Sequence, residues 1–149
     1  MKQELIAPCG MNCAVCVSYL AKKHDLNGKG LKRVCCEGCL PRGKGCLHMG
    51  DSCGLLKDGR VRFCYECGDF PCKRLKALDK RYCTKYHLSM IENLTSIKET
   101  GLHSFLEKEK EKWGCPCGGT VCCHIGLCFN CQLDILRKNR TYRWGEKQR

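Results

Sequence analysis

Eighteen of the 149 residues are cysteine, and thiolates bind zinc and iron–sulfur clusters alike. Four C-x2-C pairs recur: Cys13/Cys16, Cys36/Cys39, Cys64/Cys67 and Cys128/Cys131. Two intervening residues let a tight turn aim both sulfurs at one metal about 2.3 Å away, while turn N–H groups soften the thiolate charge. One such pair is weak evidence; four, beside further cysteines, predict metal binding. Tetrahedral zinc takes four ligands. Cys36, Cys39, Cys46 and Cys53 supply one set. Cys64, Cys67 and Cys72 need a fourth, from Cys83 or from the first knuckle. Cys9, Cys13 and Cys16 also lack a fourth ligand. Cys115 and Cys117 face Cys128 and Cys131 as the arms of a zinc ribbon, with a Cys-Gly-Gly turn between. The spacing leaves this connectivity open and predicts about three to four zinc ions. The compact runs Cys9/Cys13/Cys16 and Cys64/Cys67/Cys72 offer the alternative, a [4Fe–4S] cluster.

Other chemistries fit less well. The C-x3-C-x2-C spacing of Cys9, Cys13 and Cys16 also occurs in radical enzymes that use S-adenosylmethionine. There an aromatic usually precedes the last cysteine, where this chain has Val15, and a GGE-like motif follows that is absent here. Cys–His catalysis carries little information, because among so many cysteines every histidine has a neighbour by chance. Asp51, Asp58, Glu66 and Asp69 read as turn residues. No reaction is assigned. Cys35, Cys122 and Cys123 read equally as small buried thiols or as ligands. His124 reads as a ligand, a thiolate hydrogen-bond donor or a core side chain.

These ligands must be held by elements the sequence also suggests. Cysteines fill residues 1–83 and 115–133, and none occurs between 84 and 114. That gap reads as a helical hairpin. Ser89-Met90-Ile91-Glu92 is a capping-box pattern, Met90, Leu94 and Ile97 form one apolar stripe, and Gly101 is placed to end the helix. A second helix follows with Leu102, Phe105 and Leu106 inward. Its Glu-Lys alternation at 107–112 reads as a solvated face. The stretch after Pro71 reads as a short basic helix with Leu75 and Leu78 inward. The expected fold is a small, metal-stabilised α+β chain, with zinc-knuckle and ribbon-like cysteine blocks joined by short helices and little regular sheet. Its divisions are a multi-cysteine region 1–83, the hairpin 84–114, a ribbon-like segment 115–133 and a basic tail 134–149.

Leu, Ile, Val and Phe number 31 of 149 residues, near the floor for a chain that builds an ordinary core. Cross-links must offset the deficit. No convincing signal peptide or membrane-length apolar run is visible, so a cytoplasmic chain with reduced thiols is expected, and metals serve in place of disulfides. The formal charge is +12. Three zinc–tetrathiolate sites would halve it, because each adds about two negative charges. The excess sits in residues 1–83 and in the tail, where Arg137, Lys138, Arg140 and Arg143 alternate with Tyr142 and Trp144. Basic residues among aromatics track phosphates and stack bases, and the bland reading is a frayed terminus.

The motifs Cys9-Gly10-x-x-Cys13-x-x-Cys16 with Tyr19, Cys64-x-Glu66-Cys67-x-x-Phe70-Pro71-Cys72, and Trp113-x-Cys115-x-Cys117-Gly-Gly resemble a cysteine-rich prokaryotic family, the domain of unknown function numbered thirty-seven ninety-five. The likeness runs over roughly residues 7 to 133. One departure is the C-x-C at Cys115 and Cys117, tighter than the family's C-x2-C, which leaves Cys122 or Cys123 as substitute ligands. The resemblance implies small cytoplasmic metal-binding proteins and no particular reaction. The functional expectation is therefore a set of structural zinc sites supporting a basic module that binds nucleic acid or a protein. The alternatives are an iron–sulfur protein with a redox or sulfur-handling role, and a metal or thiol buffer.

Overall fold

The structure is a computed structural model that describes residues 1–42 and 52–144; Cys46 lies outside the described residues. Among the described residues five α-helices follow one another: α1 (Val17–Lys23), α2 (Gly54–Lys57), α3 (Lys73–Tyr86), α4 (Met90–Lys112) and α5 (Leu133–Lys138). Single 3-10 turns at Cys13–Val15 and Cys64–Glu66 carry cysteine motifs.

In α3 the apolar side chains Leu75, Leu78 and Tyr82 recur at helical spacing and are buried, as an amphipathic helix requires. Lys73, Arg74, Lys76, Lys80, Arg81 and Lys85 on the same helix are all exposed. The helix runs past Cys83, which sits exposed on its surface. α4 begins at the expected cap: the Ser89 hydroxyl oxygen accepts the Glu92 N–H at 3.0 Å. Asp79 of α3 ties the two helices together, because its carboxylate accepts from the Ser89 hydroxyl at 2.7 Å and from the Ile91 N–H at 3.0 Å. α4 is broken at Gly101 (φ 82°, ψ 159°), where the absence of a Cβ permits the positive φ.

The Glu-Lys run is not wholly solvated. Glu109 is buried and accepts a hydrogen bond from the Asn12 side chain at 2.9 Å. It continues the inward face of Phe105 and Leu106, one turn on.

Little sheet forms. Among the described residues the β-pairing consists of isolated bridges, Ile6 with Asn12, Gly114 with Thr120 and Val121 with Cys128. The ribbon expected over 115–133 is thus two single bridges and not a sheet. Gly118 (φ 81°) and Gly126 (φ 81°) turn the chain before a ladder can extend. The fold is small and helical, and among the described residues the cysteines other than Cys83 lie outside the α-helices.

Two small cores result. The larger combines Leu5 to Val15, Phe63, the inner faces of α3 and α4, Trp113 and Cys123. The smaller combines Leu20 and Ala21 of α1 with Leu26, Leu31, Cys122, Ile125, Leu127, Phe129 and Leu136 of α5. Each fully buried leucine contributes about 1.5–3 kcal/mol. The tail is not frayed as far as Trp144: its indole N–H donates to the Cys123 carbonyl, its ring packs edge-on to His87, and Tyr142 packs against the smaller core. No helix of the described residues is long and apolar enough to cross a membrane.

Candidate metal centres

Cys115, Cys117, Cys128 and Cys131 meet, with all four sulfurs within 4.8 Å of one another. The pairs Cys115–Cys131 and Cys117–Cys128 are each 3.6 Å apart. A tetrahedral Zn–S bond of about 2.3 Å sets sulfurs about 3.8 Å apart, so the donor set fits one metal ion. The tight turn does this work. Gly118 N–H donates to the Cys115 carbonyl at 2.8 Å, and Cys115 N–H to the Gly119 carbonyl at 3.0 Å. The turn therefore brings Cys115 and Cys117 to one side despite the single residue between them. At position 119 a Cβ would stand 2.6 Å from the Cys128 sulfur and 3.2 Å from that of Cys117. Only glycine lets the chain lie this close.

Polar groups surround the sulfurs. The Asn130 side-chain amide donates to the Cys117 sulfur at 3.4 Å. That bond, then the Gly119 N–H, pulls the Cys117 thiol down to about 6. Burial raises the Cys128 thiol against hydrogen bonds from the Asn130 and Cys131 N–H groups. Cys131 is pushed up to about 12, first by its hydrogen bonds to Cys117 and Cys115. As free thiols Cys117, Cys128 and Cys131 thus hold their protons unequally, Cys117 the least tightly of the three.

A second group gathers at the other block. Cys53 caps α2, Cys64 opens a 3-10 turn and Cys72 caps α3. Together with Cys67 they line a cavity of about 30 Å³ walled by Phe70 and Leu75. The Asp69 N–H donates to the Cys67 sulfur at 3.4 Å. Cys53 therefore lies beside Cys64, Cys67 and Cys72; the set read from spacing, Cys36, Cys39, Cys46 and Cys53, includes Cys46, which lies outside the described residues. Cys83, the other candidate for that set, points its thiol at Asp79, 3.6 Å away on the exposed side of α3.

A third group surrounds the first knuckle. Cys9, Cys13, Cys16, Cys36 and Cys39 line one cavity of about 150 Å³, with Cys35 at its exposed edge. The loop is moulded onto α4. Asn93 donates to the Gly10 carbonyl at 2.8 Å, and a Cβ on Gly10 (φ 87°) would lie 2.6 Å from the Met90 carbonyl oxygen. Asn12 caps the turn through the Ala14 N–H at 3.0 Å while its amide holds Glu109. Burial raises the Cys16 thiol; the Ser18 and Tyr19 N–H groups oppose this, and Cys13 and Cys36 lie near enough to add to it. The Cys64 N–H donates to the Pro8 carbonyl at 2.9 Å, which sets the second group beside this loop.

Cys122 and Cys123 stay outside the Cys115–Cys131 group and are fully buried, Cys122 being pushed up to about 12 by burial. His124 is enclosed with them. Its Nδ1 accepts the Val17 N–H at 3.3 Å and its Nε2 lies 3.3 Å from the Tyr82 hydroxyl, with the Tyr86 ring 4.6 Å away. Accepting at Nδ1 places the proton of the neutral ring on Nε2. His124 thus stands between α1 and α3, with the Cys123 sulfur 3.2 Å from its Nδ1.

Sequence reading missed Asn12, Asn93 and Glu109, which place the first knuckle. Glu109 was legible only by extending the Phe105–Leu106 face one turn further.

Residues 5–77 match the family model described as "Protein of unknown function (DUF3795)", the family that the cysteine motifs resemble. The match takes in the first-knuckle and Cys64–Cys72 motifs and ends within α3; the Cys115–Cys131 group lies beyond it. No curated protein and no solved structure matches the chain.

Proposed function

We propose that this chain is a zinc–thiolate protein whose Cys115, Cys117, Cys128 and Cys131 hold one structural ion, and that its basic face docks nucleic acid. The convergence of those four sulfurs carries the metal reading. Four thiolates fill a tetrahedral shell and leave no open position for substrate, which suits a structural ion. The position fits that role: Trp113 and Cys123 of the same segment belong to the larger core, and Leu127 and Phe129 to the smaller. An ion there would clamp two cores that are each too small to be rigid alone. The cavity at Cys53, Cys64, Cys67 and Cys72 has the size of a single bound atom or water, and supports a second such site.

The docking reading rests on α3. Its six exposed cations stand on a helix whose Asp79 is engaged by α4. A stripe of this kind concentrates phosphate backbones. Trp144 and Tyr142 are packed against the protein, so phosphate contacts from α3, and not base stacking by the tail, carry the reading.

Two measurements test it. Metal analysis of the purified chain should give zinc that falls by one equivalent in Cys117→Ser. Retention of all zinc in that variant refutes the site. Fluorescence anisotropy with a single-stranded RNA should show affinity falling steeply with salt, with a slope lower by about two in Lys76→Glu/Lys80→Glu/Arg81→Glu. No binding at low salt refutes the docking reading. The exposure of Cys117 and Cys131 favours a buffer as the second reading, which predicts rapid loss of zinc to a chelator from the folded protein.

A further inference from the structure

We propose that the cavity under the first knuckle holds a polynuclear iron–sulfur cluster ligated by Cys13, Cys16, Cys36 and Cys39. The proposal stands apart from the zinc reading, because it uses a different cavity and different cysteines.

Two C-x2-C knuckles face each other here. The Cys39 N–H donates to the Cys13 sulfur at 3.4 Å, which pins the second knuckle over the first. The Gly38 N–H donates to the Cys36 sulfur at 3.4 Å, and the Cys36 N–H to the Ser18 carbonyl at 3.0 Å. Backbone N–H groups aimed at sulfur are the interactions that stabilise cluster-bound thiolates. The turn is shaped for this approach: Gly38 has φ 105°, and a Cβ there would stand 2.8 Å from Leu5.

Size decides the nuclearity. At Cys115–Cys131 the sulfurs already lie within reach of one ion. Among the described residues no three ligand atoms of the first-knuckle group come so close together. They stand instead around about 150 Å³, five times the space enclosed at Cys53, Cys64, Cys67 and Cys72. Sulfurs set further apart than those at Cys115–Cys131 do not suit one ion bonded at about 2.3 Å. A cluster that brings its own bridging sulfides can span the space. Met11, Tyr19 and Tyr82 also line the cavity. Cys35 stands at the exposed edge of the cavity, with its sulfur against the Asn27 amide at 3.3 Å, and lies outside the proposed set.

The test uses the full chain, expressed in iron-replete cells and purified without oxygen. Wild type and Cys35→Ser should carry about four irons and four acid-labile sulfides, with a visible thiolate-to-iron charge-transfer band. Cys16→Ser and Cys36→Ser should lose most of that band while Cys117→Ser keeps it. X-ray absorption of the wild type supplies a readout that needs no variant: an iron–iron scattering vector supports the cluster. Iron without that vector, zinc alone, an empty site, or a band lost only in Cys117→Ser each overturns the proposal. Loss of zinc in Cys117→Ser with the band intact would separate the two sites.

Discussion

Replacing Gly119 by alanine tests the Cys115–Cys131 site most directly. The new methyl would lie 2.6 Å from the Cys128 sulfur, 3.2 Å from the Cys117 sulfur and 2.9 Å from the Asn130 Cβ. Ordinary non-bonded contact begins near about 3.5 Å, so the Cys128 sulfur must retreat by close to 1 Å. Metal–ligand distances tolerate only about 0.2 Å. Disturbing a single supporting contact costs about 10- to 100-fold in metal affinity, and here two ligands and their Asn130 support are displaced together. Zinc affinity should therefore fall by about 100-fold or more, roughly 3 kcal/mol. Gly118→Ala is the control. Gly118 has φ 81° with nothing within 4 Å, so that change brings only backbone strain of about 1 kcal/mol. Competition against a chromophoric zinc chelator reads both. Equal losses in the two variants, or wild-type affinity in Gly119→Ala, would refute the claim that the turn is shaped around the sulfurs.

Three further outcomes are expected. Gly10→Ala should destabilise the fold by about 2–4 kcal/mol, because a left-handed backbone meets a collision with Met90 and Leu94; denaturant unfolding measures this. Burial raises the Glu109 carboxyl against the Asn12 hydrogen bond. Its contribution is therefore fully present below the unfolded carboxylate value and is lost as pH rises through the higher folded value. Glu109→Gln should unfold less readily at neutral pH and flatten stability between mildly acidic and neutral pH, as followed by thermal melts across that range. Because Cys128 and Cys131 are both raised, zinc binding near pH 7.5 should release at least about two protons per ion. Calorimetry in buffers of different ionisation enthalpy counts them, and apparent affinity should fall as pH is lowered.

The sequence alone determined the features that local pattern sets. Ser89 and Gly101 set the start and the break of α4, because a cap and a positive φ are decided within a few residues. Leu75 and Leu78 face inward as their spacing predicts, since helical period fixes a face. Cys115, Cys117, Cys128 and Cys131 were legible as one set because only a short segment separates the two arms. Where ligands come from distant segments, spacing was silent. Cys53 lies beside Cys64, Cys67 and Cys72, and the Cys36–Cys39 knuckle lies over Cys13, because the packing of loops against α3 and α4 brings those segments together. The same packing buried Glu109 inside a run that reads as solvent-facing, and drew Trp144 onto Cys123. A metal-binding thiolate needs the other donors of its shell within bonding distance of one ion. Its identity is written in the sequence, and its partner is chosen by the tertiary structure.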